Sequence, residues 1–367
     1  MGLSVEEQKT VQVAADSAAT PARRSLVLVA GSGRSGTSLF TGILQRLGFY
    51  VPAPEVPADE TNPRGFAESQ WVVEFHTRLL RKAGVQVSDA RPAAWSLMAD
   101  LTLEDVVADE LRKWLQAQFK QSDHLIIKDP RLSWFLPLWR RCASGLGVTP
   151  RFVTVLRHPA AVIDSKQRYY GHWQGDISRT AGWLNQSLFT ERATRETQRA
   201  FVRYEDLLDD WTKSVARVGD LLALKVIQDA PAASIVRVHD FVDRNLSRSR
   251  ATWDGFDIPE GLREQVDHVW ELLMELADEP DSVELRDRLD AARAAYIELY
   301  EDAEAIVQSS IAASPTTSGQ GGTTLVRVGR KVPRGLREKL PLSWRKAAYR
   351  AARRRSGARS RGTGATG

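Results

Sequence analysis

Apolar and polar positions divide the chain into two alternating kinds of segment. Four short runs of mostly apolar residues predict buried strands, at 25–30, 125–128, 151–156 and 201–204. Between and after them, apolar residues recur every third or fourth position and predict helices, at 39–48, 69–83, 103–119, 134–142, 159–168, 177–200 and 205–224. Strands that alternate with helices indicate a parallel sheet covered on both faces, so we predict an α/β domain. Weaker patterns at 259–277 and 282–308 predict a helical C-terminal part.

A glycine-rich loop follows the first predicted strand. Residues 31–38 read Gly-Ser-Gly-Arg-Ser-Gly-Thr-Ser and lead directly into a predicted helix. A strand, a glycine loop and a helix in this order bind a phosphate or sulfate through backbone N–H groups and the positive end of the helix dipole. Two other strands end at cations, Lys128 with Arg131 and then Arg157. Because ligands of parallel sheets bind at the carboxyl ends of the strands, we predict one anionic ligand that all three ends contact.

The positive charge of the chain is concentrated near its C-terminus. The net charge is +5, but residues 327–361 hold 14 Lys and Arg against one acid, Glu338, which leaves −8 for the rest. We predict a disordered tail at 1–24, a main domain at 25–312, a Ser/Thr/Gly linker at 313–326 and a basic tail at 327–367. A nucleic-acid partner is not indicated, because the basic pI belongs to the tail. The tail is either solvated and disordered, or it rests on an anionic membrane surface, or it holds an acidic polysaccharide or a nucleic acid.

Cysteine usage and hydropathy predict a cytoplasmic protein. Cys142 is the single cysteine, so an intrachain disulfide is excluded and a reducing compartment fits. Residues 1–24 lack the basic start and apolar core of a secretory signal. We expect a cytoplasmic location, with peripheral membrane contact if the tail binds lipid.

The glycine loop differs from the loop of nucleoside-triphosphatases. Thr37 stands where that pattern has a lysine, and Arg34 is the basic residue of the loop. A triphosphatase also needs a strand-end acid for a metal ion, and Asp129 lies between Lys128 and Pro130. A small-molecule kinase or nucleotide hydrolase is therefore the alternative hypothesis, together with a non-catalytic nucleotide-binding protein.

Two motifs resemble those of sulfotransferases that use 3′-phosphoadenosine 5′-phosphosulfate (PAPS). Residues 33–38 resemble the family's 5′-phosphosulfate loop, and Arg157-His158-Pro159 with Ser165 resembles its 3′-phosphate motif. Residues 62–68, 128–131 and 203–207 also resemble recurring segments of bacterial members. The resemblance covers roughly residues 25–250. The basic glycine-containing loop that covers the adenine in well-known cytosolic members has no counterpart here.

The resemblance implies both a fold and an activity. The implied fold is P-loop-like, with three α/β layers and a central parallel sheet. The implied reaction is in-line transfer of a sulfuryl group from PAPS, without a metal, to a hydroxyl or amine of a small-molecule or carbohydrate acceptor, glycans and glycolipids included. Arg34 would neutralise charge on the leaving phosphate oxygen. The residues implied to bind PAPS are Gly33, Arg34, Ser35, Gly36, Thr37, Ser38, Arg157 and Ser165.

The catalytic base is predicted less directly. Members of the family use His or Glu, and Glu68 follows the proline-rich loop 51–67, which is too rich in proline to be helical. Glu60 is the second candidate and His76 the third. Glu68 has an alternative interpretation as the acid at a helix N-terminus. Four aromatic residues after Ser165 either line an acceptor pocket or pack in the core: Tyr169, Tyr170, His172 and Trp173.

Overall fold

Four parallel strands form the centre of the computed structural model, which describes residues 24–170, 174–243, 251–278 and 281–313. Their order across the sheet is β2-β1-β3-β4. β1 lies inside the sheet, and its Val27 is in register with Ile126 of β2 on one side and Arg151 of β3 on the other. The predicted parallel sheet is confirmed. The strands are β1 (Ser25–Ala30), β2 (His124–Lys128), β3 (Arg151–Leu156) and β4 (Arg199–Arg203).

Helices flank the sheet, and a single 3₁₀ turn (Leu132–Trp134) follows β2. The predicted α/β, P-loop-like architecture with a helical C-terminal part is therefore confirmed. The helices are α1 (Thr37–Arg46), α2 (Gln70–Ala83), α3 (Ala94–Thr102), α4 (Asp105–Gln118), α5 (Leu136–Ser144), α6 (Pro159–Tyr170), α7 (Asp176–Ala193), α8 (Tyr204–Leu221), α9 (Lys225–Gln228), α10 (Ala232–Phe241), α11 (Glu260–Asp278) and α12 (Val283–Ala313).

The apolar run of β1 is buried because both faces of the strand pack against helices. Successive side chains of a strand point to opposite faces of the sheet. Leu26 and Leu28 belong to one core cluster, with residues of α2 to α5, whereas Val27 and Val29 belong to another, with residues of α1, α8 and α10. A third cluster joins α7 to α11 and α12. This explains why β1 shows no alternation of apolar and polar residues.

Local sequence signals explain where the helices beside the sheet begin and end. Gly36 adopts a left-handed conformation (φ 97°) immediately before α1, and Gly48 (φ 118°) follows that helix. Pro159 is the first residue of α6, where its missing N–H costs no hydrogen bond. Gly84 (φ 65°) ends α2 with its N–H bonded to the carbonyl of Arg81.

Two predictions of secondary structure are wrong. The predicted helix at 177–200 is too long: it ends at Ala193, and strand β4 begins at Arg199. Helix α3 has no predicted counterpart. The predicted tails and linker, at 1–23 and 314–367, and the aromatic residues His172 and Trp173 lie outside the described residues.

The chain divides into two compact units at Glu304 and Ala305. The first unit contains the sheet and the three core clusters. Of the second, residues 305–313 are described, and they are helical. None of the described helices combines the length and hydropathy that crossing a membrane requires.

Replacement of Gly36 by alanine should destabilise the fold strongly. An added Cβ would lie 2.2 Å from the ring of Tyr204, in a left-handed conformation that alanine avoids. Clash and strain together cost about 2 kcal/mol or more in free energy of unfolding. The control is Gly147→Ala, because Gly147 also has positive φ (71°) but nothing within 4 Å of an added Cβ. The Gly147→Ala variant should lose about 1 kcal/mol in free energy of unfolding, measured with urea. Equal losses in both variants would contradict the packing of Tyr204 against Gly36.

Candidate active site

A cavity of about 470 Å³ lies at the carboxyl ends of the strands. The three predicted cationic strand ends meet there, since Arg34, Lys128 and Arg157 all line it. The cavity also brings together most of the other residues predicted to bind the donor, and one of the two predicted acids. These are Gly33, Gly36, Thr37, Ser38, Ser165 and Glu68.

The glycine loop presents the start of α1 to this cavity. The N–H of Ser35 bonds to the carbonyl of Ser32 at 3.0 Å and closes the turn of the loop. The N–H of Phe40 bonds to the carbonyl of Gly36 at 3.1 Å, and three residues precede it in the helix, Thr37 to Leu39. The N–H groups of a first helical turn have no partner inside the helix. Because these residues line the cavity, the loop offers an anion both N–H donors and the positive end of a helix dipole.

Arg34 and Arg157 are linked to each other, and the carboxylates of Glu205 and Asp164 act on Arg157 only from beyond ion-pair distance. Arg157 donates to the backbone carbonyl of Arg34 at 3.0 Å, and the Arg34 Nε donates to the Ser165 hydroxyl at 3.0 Å. Neither guanidinium forms an ion pair with a described residue. Burial lowers the pKa of Arg157, and the charge of Arg34 acts in the same direction. The Arg157 Nε is buried without a described partner. Two adjacent, partly buried cations without ion-pair partners among the described residues favour the binding of an anionic ligand.

Two tyrosine rings contact these arginines: Tyr169, which was predicted to line a pocket or pack in the core and lines the cavity, and Tyr204, which was not predicted to belong to the site. The Arg157 guanidinium lies 4.5 Å from the ring centre of Tyr204, and that of Arg34 lies 4.3 Å from the ring of Tyr169. Tyr204 is the first residue of α8, directly after β4, and its ring packs against Gly36. Its place at a strand end, within a segment that resembles the family, was the signal that could have identified it.

Glu68 lies in the cavity wall, bonded to Lys128. The Lys128 Nζ donates to the Glu68 carboxylate at 2.5 Å, to the Ser38 hydroxyl at 2.9 Å and to the Phe66 carbonyl at 3.3 Å. Burial raises the pKa of Glu68 above its ordinary value, because Lys128 opposes this shift only in part and the charge of Asp129 adds to it. A carboxylate with a raised pKa beside an anion site is suited to accept a proton.

His76 is not available as a base. It is fully buried, and its Nδ1 lies 2.8 Å from the carboxylate of Asp129. The indole N–H of Trp139 donates to its Nε2 at 3.0 Å, so that nitrogen carries no proton and the proton lies on Nδ1. Burial lowers the pKa of His76, which keeps the ring neutral. Asp129 also accepts from Arg131 at 2.7 Å, and so orients that residue.

Two predicted site residues do not reach the cavity. Glu60 is exposed and is not part of the cavity wall, although Thr61 and Asn62, which follow it, line the cavity. Ser35 lines a second, smaller cavity instead; its hydroxyl is buried without a described partner, and its N–H donates to the carbonyl of Ser32. Among the described residues, no group of three or more His, Cys, Asp or Glu is arranged to hold a metal ion.

This fold and cavity define an α/β protein with a P-loop-like anion site, and comparison with known proteins identifies its family. The model of the sulfotransferase family matches residues 27–229, more than half of the chain. The chain belongs to the sulfotransferase family, as predicted.

Solved structures that resemble the chain are also sulfotransferase domains. The domain from the olefin synthase of Synechococcus PCC 7002 is 19% identical, with a TM-score of 0.40, and the match covers 70% of this chain and 98% of that one. The domain from the curacin biosynthetic pathway is 14% identical, with a TM-score of 0.36, over 74% of this chain and 96% of that one. A comparison with curated proteins gives no match.

The contacts of Asp129 should make the free energy of unfolding decrease as the pH falls into the acid range. Burial alone would raise the pKa of Asp129, but the bonds from His76 and Arg131 lower it to about 2. A depressed pKa stabilises the folded state above the unfolded value near 4, and this stabilisation is lost as the pH falls through 2. Urea unfolding should show Asp129→Asn less stable than the wild type by about 2 kcal/mol at neutral pH, with a smaller difference at pH about 3. An equal difference at both pH values would contradict these contacts.

Proposed function

We propose that the protein transfers a sulfuryl group from PAPS to a hydroxyl or amine of a small-molecule acceptor. The observation that most strongly supports this proposal is the pair of adjacent arginines, Arg34 and Arg157, neither of which forms an ion pair with a described residue. PAPS carries anionic groups at two ends, a 3′-phosphate and a 5′-phosphosulfate. Arg157 provides a cationic site for one end, and the glycine loop provides one for the other. A bond from Arg157 to the Arg34 carbonyl joins the two sites.

The residues of the cavity fit both ends of the donor. Arg157 binds the 3′-phosphate through its planar guanidinium, which suits two parallel bonds to a phosphate, and its unpartnered Nε is available for one of them. Ser165 adds a hydroxyl. The amides of the first turn of α1, with the side chains of Thr37 and Ser38, bind the 5′-phosphosulfate.

The donor supplies an activated sulfuryl group, joined through an S–O bond to its 5′-phosphate. Arg34 neutralises the charge that develops on the leaving phosphate oxygen as this bond breaks. Arginine retains its proton, so its role is electrostatic. Lys128 contacts both Ser38 and Glu68, and so places a further positive charge between the loop and the acid.

Glu68 is proposed as the base that activates the acceptor. It takes the proton from the acceptor hydroxyl or amine while that atom forms the new bond to sulfur. The products are the sulfated acceptor and 3′,5′-adenosine bisphosphate. Val56 and Phe66 lie beside Glu68, since the Val56 N–H bonds to the Glu68 carbonyl and the Phe66 carbonyl accepts from Lys128. These side chains would receive an apolar part of the acceptor.

Arg157→Ala should weaken binding of 3′,5′-adenosine bisphosphate selectively. Loss of a charge-assisted bidentate contact costs about 2–3 kcal/mol, roughly 30- to 150-fold in Kd. Adenosine 5′-monophosphate lacks the 3′-phosphate, and its Kd should change less than about threefold. Isothermal titration calorimetry measures both.

The matched control is Arg168→Ala. Arg168 lines the same cavity, but Asp164 neutralises it at 2.8 Å. We expect less than about a threefold loss for either nucleotide. Equal losses for the two nucleotides in Arg157→Ala would place the 3′-phosphate elsewhere.

Glu68→Gln should abolish most of the transfer without weakening the donor site. Removal of a general base costs about 10²–10⁴-fold in rate, whereas the Kd of the bisphosphate should stay within about threefold. The assay is release of 3′,5′-adenosine bisphosphate from PAPS with a panel of phenols, alcohols and amines. The base must be ionised, so the wild-type rate should rise with pH through a pKa above that of an ordinary glutamate, and this limb should vanish in the variant.

Glu60→Gln provides the control for this experiment. Glu60 lies in the same loop region but is exposed and outside the cavity wall. Its variant should keep the rate and pH profile of the wild type. A large loss in Glu60→Gln with little loss in Glu68→Gln would reverse the assignment.

A further inference from the structure

Lys166 is a buried cation that the proposed reaction does not use. It follows Ser165 in α6, and only 8% of the residue is exposed to solvent. It is not part of the main cavity wall. Its Nζ donates to two hydroxyls, those of Ser32 and Ser88, each at 2.9 Å. It forms no ion pair with a described residue. Burial lowers its pKa to about 8, with the charge of Arg179 acting in the same direction.

The two hydroxyls belong to very different parts of the fold. Ser32 is the second residue of the glycine loop. Ser88 lies in the segment 84–91, which is not helical or extended and is fixed by side chains of other elements. These donate to its backbone carbonyls: Trp134 to Val87 at 2.9 Å, Gln174 to Ser88 at 3.5 Å, Asn185 to Asp89 at 2.8 Å and Tyr296 to Ala90. Lys166 therefore ties the glycine loop to a rigid support.

The charges around Lys166 do not compensate it. Asp89, on the supporting segment, is paired with Arg91, and Asp164, on its own helix, is paired with Arg168. On α7, Arg179 adds positive charge near Lys166, and Asp176 of the same helix faces Arg179 and accepts from the side chain of Gln167, without forming an ion pair with Lys166. Burial of an ammonium without an acid is costly, and an apolar side chain of similar size would fill the space at less cost. An anion bound in the neighbouring site would stabilise the buried ammonium and offset the free-energy cost of its burial.

We propose that Lys166 is a positioning residue for the donor, which holds the glycine loop through Ser32 and strengthens anion binding with its buried charge. This inference rests on the proposed function. The ammonium attracts the bound anion, and the anion in turn stabilises the ammonium. Affinity for the donor should therefore be higher when Lys166 is charged and fall as the pH rises through the value at which it loses its proton.

The test measures the Kd of 3′,5′-adenosine bisphosphate by calorimetry at pH about 7 and about 9.5. A unit charge acting over about 10 Å at an effective dielectric constant of about 20 changes binding on the order of tenfold. We expect the wild type to lose about tenfold between the two pH values, and Lys166→Met to bind about tenfold more weakly at neutral pH with a flat profile. Lys166→Arg should bind like the wild type at neutral pH and also show a flat profile, because arginine does not titrate there.

Ser88→Ala and urea unfolding distinguish the charge from a purely structural role. Ser88→Ala removes one bond but keeps the ammonium, so it should keep the pH dependence of the wild type. Lys166→Met removes an uncompensated buried charge, so its urea midpoint should be unchanged or higher. A lower midpoint in Lys166→Met, with equal losses of affinity in Lys166→Met and Lys166→Arg, would show that Lys166 only supports the fold and would overturn the proposal.

The two levels of the hypothesis fail differently. If the wild type binds the bisphosphate but Lys166→Met binds it equally well, or with the same pH dependence, the role of Lys166 is refuted and the proposed function stands. If the wild type binds the bisphosphate at neither pH, the proposed function fails and the role of Lys166 fails with it.

Discussion

The site depends on two arginines that are held close together and form no ion pair with any described acid. The parallel sheet places Arg34 and Arg157 at neighbouring strand ends, and the bond from Arg157 to the Arg34 carbonyl fixes one relative to the other. The ring of Tyr204 supports Arg157 and packs on Gly36, which requires a glycine there. Two adjacent, partly buried cations repel each other, so this arrangement is suited to an anion that brings the opposite charge.

Two acids near this cationic wall have opposite environments. Glu68 is buried beside one lysine, and burial raises its pKa. Asp129 accepts bonds from His76 and Arg131, which lower its pKa to about 2 although burial opposes them. Neighbouring carboxyls with pKa values moved apart take different roles. Asp129 is a permanent anion that orients Arg131, whereas Glu68 retains the capacity to accept a proton, which supports its proposed role as base.

Sequence patterns predicted the features that are encoded locally. The apolar runs gave the four strands, and the glycine loop with Arg34, Arg157 and Ser165 gave most of the anion site. Contacts between distant segments were beyond these patterns. The indole of Trp139 donates to His76 and makes it an acceptor, and Ser35 lines a second, smaller cavity and not the main one. Each of these depends on tertiary packing, which has no periodic signal in the sequence.

The most direct test of the central claim compares nucleotides without metal. Calorimetry of the wild-type protein in EDTA should detect binding of 3′,5′-adenosine bisphosphate, because Arg157 and the glycine loop supply the positive charge themselves. ATP has no 3′-phosphate for Arg157 and should bind at least about tenfold more weakly. Binding of ATP only when magnesium is added, with no binding of the bisphosphate under either condition, would contradict the account and favour a nucleotide kinase or hydrolase.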